Sequence, residues 1–195
     1  QDIENDPEAC ARYEEVCGPI VRKYGWHLSQ MFEAMEEGHL TALYVIGENP
    51  ASSEADVGKA RKLLSNLDIL IVQDIFMTRT AEMADVVFPA SNSALESEGS
   101  VTNSERRVQR VRKVLEQPGD AKDDIWIITQ IAKRLGHDWG EVTPRSAWDE
   151  LRAVSPWADA GPEPAWASGL PAAATPTPAA PVAAGANVRA CDLVT

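Results

Sequence analysis

Two short loops and one charged run hold the residues best equipped for chemistry. The first loop is Gly47-Glu48-Asn49-Pro50. Glycine admits positive φ and lets a ligand approach the backbone. The Asn49 amide offers both a donor and an acceptor, and Pro50 forces the residue before it to be extended. The second is Gln73-Asp74-Ile75-Phe76-Met77-Thr78, with Asp74 standing 25 residues after Asn49. A carboxylate at that place suits a ribose hydroxyl, and it equally accepts the paired N–H groups of a guanine edge. Ile75, Phe76 and Met77 are apolar residues suited to covering a flat ring, while Thr78 and Thr80 supply hydroxyls. The third feature places five basic residues in eight positions, Arg106 to Lys113, within an acidic chain. It reads either as a strand with a cationic edge for phosphate oxygens or as a solvated strand paired with nearby Glu.

The elements that must position these loops are readable from apolar patterning. Leu43–Ile46 and Ile69–Val72 are short, β-branched and bounded by turn residues, so they read as parallel strands, with a third over Asp85–Phe88. Between the first two, Val57, Ala60, Leu64 and Leu67 fall on one helical face, and Ser52 or Ser53 is the expected cap at its N-terminus, a natural phosphate site. Strand, helix, strand gives a βαβ unit, and in open sheets of this kind ligands sit beyond the carboxyl ends of the strands, where both loops lie. The GENPAS loop alone is equally a plain turn with a cap, because it lacks a full glycine fingerprint. Thr80 is expected to cap the short segment Ala81–Ala84.

Outside this unit, Pro7–Cys17 is expected to form a short helix stopped by Gly18-Pro19. His27–Gly38 is expected to form another, with Leu28, Met31, Phe32 and Met35 facing a core. Asp123 or Asp124 caps a helix over Ile125–Leu135 whose core face is Ile128, Ile131, Ala132 and Leu135. Ser146 to Asp149 reads as a capping box opening a helix to Val154. After Pro156 the pattern stops: seven of the last forty residues are Pro and thirteen are Ala, which predicts a disordered or extended tail.

With 18 basic and 30 acidic residues the chain carries a net charge of −12, which argues against general binding of nucleic acid or anionic membranes. No apolar run reaches the length of a membrane span. Cys10, Cys17 and Cys191 have neither paired spacing nor a partnering His, so no metal ligand is expected and all three read as reduced thiols. His27, His39 and His137 read as surface or capping residues. The chain starts at Gln1 rather than Met and is therefore read as a piece of something longer.

Four blocks then carry a resemblance: ALYVIGENP, IVQDIFMTRTAEMADVVFPA, ESEGSVTNSERRVQRV and PGDAKDDIWIITQIAKRLG. Their order and spacing resemble the molybdopterin oxidoreductases, and most closely the α (catalytic) subunit of bacterial formate dehydrogenases, over about residues 25–155. The resemblance implies an α/β fold, a Rossmann-like parallel sheet with flanking helices, with a connecting segment at 1–25, the binding domain at 26–155 and a low-complexity tail at 156–195. It implies that the domain holds one guanine dinucleotide arm of a molybdenum (or tungsten) bis-molybdopterin guanine dinucleotide cofactor. Gly47, Glu48, Asn49, Gln73, Asp74, Thr78, Asp124 and Arg107 are the implied cofactor-binding residues. Arg106 and Gln109 belong to the same family run. Implied partners are the other domains of the parent subunit and its electron-transfer subunits, in the cytoplasm. The departures are as informative. The family's iron–sulfur cysteines are not in this chain, nor is the cysteine or selenocysteine that ligates molybdenum. The C-terminal domain that completes the cleft is not here either, and the tail stands in its place as a linker or an out-of-frame read-through. No catalytic and no metal-ligating residue is therefore assigned, although the parent enzyme would carry an iron–sulfur cluster. The alternatives are a nitrate reductase, the iron–sulfur subunit of an NADH dehydrogenase, or a non-catalytic interaction module.

Overall fold

A computed structural model describes residues 6–21, 25–105 and 108–154 of the chain. They divide into two compact units. One comprises Gly25–Ser97 and Val114–Ile127, and the other the described residues of 1–24, 98–113 and 128–154.

The first unit is built on a three-stranded parallel sheet in the order β1 (Ala42–Ile46), β2 (Ile69–Asp74), β3 (Val86–Pro89). Register is direct: Val45 lies beside Val72, and Val72 beside Val87. The β-branched runs made these segments legible, yet only the central strand is covered as expected. Leu70, Val72 and Gln73 on β2 are nearly inaccessible, whereas Val45 is the one buried residue of β1. Asp85 ties the start of the sheet, its Oδ2 accepting from the Leu70 amide at 2.7 Å.

Helices α2 (Leu28–Glu36), α3 (Pro50–Ser53) and α4 (Val57–Leu64) flank the sheet. Their apolar faces meet it in one core built from Met35, Val45, Ala51, Leu64, Leu70 and Val72, with Met31 and Phe32 packed alongside. Helix α2 ends as its sequence requires, Gly38 taking φ 74° while the His39 amide donates back to the Ala34 carbonyl at 2.8 Å. The crossover differs from the expected single helix. Asn49 starts the four-residue α3, and a break follows before Asp56 caps α4, its Oδ1 accepting from the Lys59 amide at 2.9 Å. Neither Ser52 nor Ser53 caps a helix. The Ser53 hydroxyl instead donates back to the Asn49 carbonyl at 3.0 Å, as short side chains do when a nearby backbone acceptor is within reach.

The second unit contains α1 (Pro7–Cys17), packed on α6 (Pro144–Val154), and a β-hairpin of β4 (Gly99–Thr102) and β5 (Val108–Val111). Helix α1 has the expected bounds, capped by Asp6 and stopped at Gly18 with φ 85°. Its Cys10 and Cys17 are buried. Helix α6 starts before Ser146. Thr143 is the capping residue, its Oγ1 accepting from the Ser146 amide while the Ser146 hydroxyl accepts from the Thr143 amide.

Helix α5 (Asp124–Arg134) begins in the first unit and runs into the second. It buries Ile127 and Ala132 but leaves Leu135 69% exposed, so Leu135 is a helix-end residue and not the core residue expected of it. The Ala/Pro-rich tail lies outside the described residues.

Candidate functional site

Three strand ends open on one side of the sheet, and a fourth segment completes the ring. After β3, the Lys122 amide donates to the Pro89 carbonyl at 3.1 Å, and the Ser91 amide donates to the Lys122 carbonyl at 2.8 Å. This short parallel bridge between Ala90 and Lys122 fastens the start of α5 to the end of the sheet. Asp123 caps the helix, its Oδ1 accepting from the Trp126 amide at 2.8 Å. That leaves the next carboxylate, Asp124, without a capping duty.

Together these segments enclose a cavity of about 310 Å³ at the carboxyl ends of β1, β2 and β3. Gly47 contributes backbone at φ 65°, and its amide donates to the Gln73 carbonyl at 2.9 Å. Asp74 folds over the end of β2 with Oδ1 accepting from the Phe76 amide at 3.1 Å. Asp124 lines the same cavity. Ser91, Asn92 and Ser93 form the third side. Among the described residues no Lys or Arg lines it, so the cavity they form presents two carboxylates and several small polar groups. Phe76 stands 72% exposed at its rim, beside Ile75.

Beneath the cavity floor is a buried polar relay. Gln73 is wholly buried. Its Oε1 accepts from the Tyr44 hydroxyl, and its Nε2 donates to Asp124 Oδ1 at 2.5 Å. The Tyr44 ring packs edge-on to Phe88 with centroids 6.3 Å apart. Burial of the phenol, helped by the negative charge of Asp124, pushes the Tyr44 pKa up to about 12.

The expected site residues therefore separate into groups. Gly47, Gln73, Asp74 and Asp124 come together around the cavity. Glu48 is exposed and outside its lining. Asn49 turns away: its Oδ1 accepts from the Thr80 hydroxyl at 2.8 Å and from the Thr80 amide at 3.2 Å. Thr80 does not cap the short 3₁₀ turn Ala81–Met83 with its side chain. Its Oγ1 is drawn inward to Asn49 and to the Ala51 amide, and Thr78 Oγ1 takes the Ala81 amide instead. Arg106 and Arg107 lie outside the described residues. The single basic strand expected there is instead the arm of a hairpin, because Gly99–Thr102 supplies an antiparallel partner for Val108–Val111. Within it Arg110 is largely buried and donates to Glu98 through Nε at 3.1 Å and through Nη2, so the reading of a strand paired with Glu holds for this residue. Ser91 and Asn92 were not expected as site residues. The signal was present, since they follow a third strand as the other two loops follow theirs.

The chain is similar to several known proteins. A family model described as molybdopterin oxidoreductase matches residues 20–134. A Bacillus subtilis protein named "Putative formate dehydrogenase YrhE" is 45% identical over 152 residues, covering 77% of this chain and 15% of that protein. A Staphylococcus haemolyticus protein, also named as a putative formate dehydrogenase, is 37% identical over 168 residues, covering 80% of this chain and 17% of its own length. Among solved structures, acetylene hydratase from Pelobacter acetylenicus superposes with a TM-score of 0.52 at 27% identity, over 66% of this chain and 19% of that one. The chain thus spans less than a fifth of each of these relatives.

Proposed function

Because this chain belongs to the molybdopterin oxidoreductase family, we propose that it is the part of a formate-dehydrogenase-like catalytic subunit that holds one guanine dinucleotide arm of a bis-molybdopterin guanine dinucleotide cofactor. The observation that carries this reading is the pair of carboxylates, Asp74 and Asp124, in a cavity whose lining includes no cation among the described residues. Such a lining repels a phosphate and favours a ligand edge rich in N–H and O–H donors. A guanosine has that edge in its N1–H and N2–H groups and its ribose hydroxyls. Phe76 and Ile75 supply the apolar cover that a flat base needs. The chemistry of the acceptor set fits the nucleoside end of the cofactor, and the diphosphate is assigned to chain outside this cavity, with Arg107 its candidate partner.

In this reading Asp74 accepts from the base, Asp124 accepts from a second donor of the nucleoside, and Gly47 lets the ligand lie against the backbone. Asn49, Thr78 and Glu48 shape the approach. The bound molybdenum (or tungsten) supplies the redox centre for formate oxidation to CO2 in the parent enzyme. The residues of this chain bind and orient, as a protein does around a cofactor that carries the reaction. The domain is assigned to residues 26–155 of a cytoplasmic parent subunit that meets further domains, an iron–sulfur cluster and electron-transfer subunits elsewhere. Among the described residues no helix is long and apolar enough to cross a membrane.

The test is a titration of the full chain with GMP, GDP and AMP, followed by tryptophan fluorescence and thermal shift, in the wild type and Asp74→Ala. Saturable GMP binding that exceeds AMP binding and disappears in the variant supports the reading. A folded chain that binds no guanine nucleotide sinks it, and places the chain with relatives in which the fold persists without this site.

A further inference from the structure

We propose that Tyr44 is a positioning residue of this cavity, acting through Gln73 to hold the Asp124 carboxyl group in place. The identity of the ligand rests on the guanosine reading above; the relay itself does not. Tyr44 lies on β1 and Gln73 on β2, while Asp124 sits 51 residues further along the chain at the start of α5. They meet only because the Ala90–Lys122 bridge brings α5 to the sheet.

The two ends of a glutamine amide are chemically different, one an acceptor and the other a donor. Gln73 is wholly enclosed, so a mismatched end has no water to turn to. With the Tyr44 hydroxyl donating to Oε1, the NH2 group is committed to Asp124. Asp124 Oδ1 is thereby held by the amide, and the rest of the carboxyl group is left for the cavity. Were the amide to turn over, its NH2 group would face the phenol and its oxygen would face Asp124, so the Tyr44 hydroxyl and Asp124 Oδ1 would both have to change role at once. Burial keeps the phenol protonated and so able to donate. The relay thereby fixes where Asp124 Oδ1 lies at the wall of the site, so that a ligand meets the carboxyl group in one place. Tyr44 exerts this without lining the cavity. Its ring contact with Phe88 is separate from the relay, so the hydroxyl is removable without removing the packing.

The experiment uses the full chain and its nitrogen-15 NMR spectrum, with the Gln73 side-chain amide assigned by its loss in Gln73→Glu. In the wild type its protons should exchange with solvent at least about tenfold more slowly than those of exposed glutamines, as two partners at a buried amide require. In Tyr44→Phe that protection should fall while the backbone amides of Val45 and Val72 stay protected, which a loss of general stability would not produce. Unchanged Gln73 protection in Tyr44→Phe overturns the proposal, as does fast exchange in the wild type. Should Tyr44→Phe fail to fold, Asp124→Asn serves. Ultraviolet difference titration should then show the Tyr44 phenol ionising at lower pH, and no movement overturns the relay. The GMP arm separates the two claims. Absence of binding in the wild type removes the guanosine reading while the NMR result still decides the relay. Equal GMP affinity in wild type and Tyr44→Phe removes the relay's role in the site.

Discussion

Asn49 and Thr80 lie 31 residues apart and are locked together by two hydrogen bonds, both ending on Asn49 Oδ1. The Thr80 hydroxyl continues inward by accepting from the Ala51 amide at 3.1 Å. The loop after β1 and the loop after β2 are thus one fastened piece. Asn49→Ala strands the fully buried Thr80 hydroxyl and its amide, and should cost about 1–3 kcal/mol. Asn49→Asp keeps an oxygen acceptor in the same place and should lose much less. Urea unfolding of the three proteins checks this. An Asn49→Ala chain as stable as the wild type would show that the clamp holds nothing. If Asn49→Asp retains GMP binding as well as stability, the Asn49 amide nitrogen is not a ligand contact.

The rim aromatic separates binding from folding. Phe76 is 72% exposed, so Phe76→Ala should change stability by no more than about 0.5 kcal/mol. If its ring covers a base, the same change should weaken GMP binding by about fivefold or more, in line with what stacking on an aromatic contributes. Thermal unfolding and GMP titration of one variant measure both. A stability loss with unaltered affinity would reverse the assignment.

Two glycines predict opposite signs. A Cβ on Gly47 meets nothing within 4 Å, but its φ of 65° is strained for any L side chain, so Gly47→Ala should destabilise by about 1–2 kcal/mol. Gly58 sits inside α4 without positive φ, and a Cβ there would make only an ordinary contact with Asp56 Oδ1 at 3.5 Å. Gly58→Ala should stabilise by up to about 1 kcal/mol through helix propensity. Chemical denaturation of the pair tests backbone strain at the site against a control in the same unit.

Alkaline pH should find Tyr44. Its folded pKa of about 12 lies above the ordinary value of about 10 that the unfolded chain shows. The unfolded state therefore releases its proton first. The stabilising contribution is complete below about pH 10 and is lost as pH rises towards about 12. Unfolding midpoints measured from about pH 9 upwards should fall more steeply in the wild type than in Tyr44→Phe. Parallel slopes would mean that the phenol is no better protected in the folded chain than out of it.

How far the sequence announced this structure depended on the kind of signal. The strands of the parallel sheet were legible because β-branched runs have few alternatives, and the end of α1 because Gly18-Pro19 stops it. The caps were misjudged wherever several short polar residues competed, as Ser52, Ser53 and Asp56 do before α4 and Thr78 and Thr80 do before the 3₁₀ turn. Local sequence does not say which of two hydroxyls a distant amide will claim. The hairpin escaped because β4 is four residues with no apolar alternation, defined only by its partner. Of the site, Asp74 was readable from its place at a strand end. The duty of Gln73 was not, since Tyr44 and Asp124 reach it from 29 residues before and 51 after.

The bridge between Ala90 and Lys122 also orders events in time. The three strands and their crossover are contiguous from residue 42 to residue 89, whereas the bridge joins positions 32 residues apart. Closing that loop, or the β1–β2 crossover that pairs Ala42 with Ile69, costs about 3 kcal/mol of chain entropy, but the crossover gains a five-residue ladder and the bridge only two hydrogen bonds. The sheet should therefore consolidate before α5 arrives on it. A refolding chain would pass through a stage with ordered strands and an open floor, and its capacity to retain a ligand would lag behind its secondary structure.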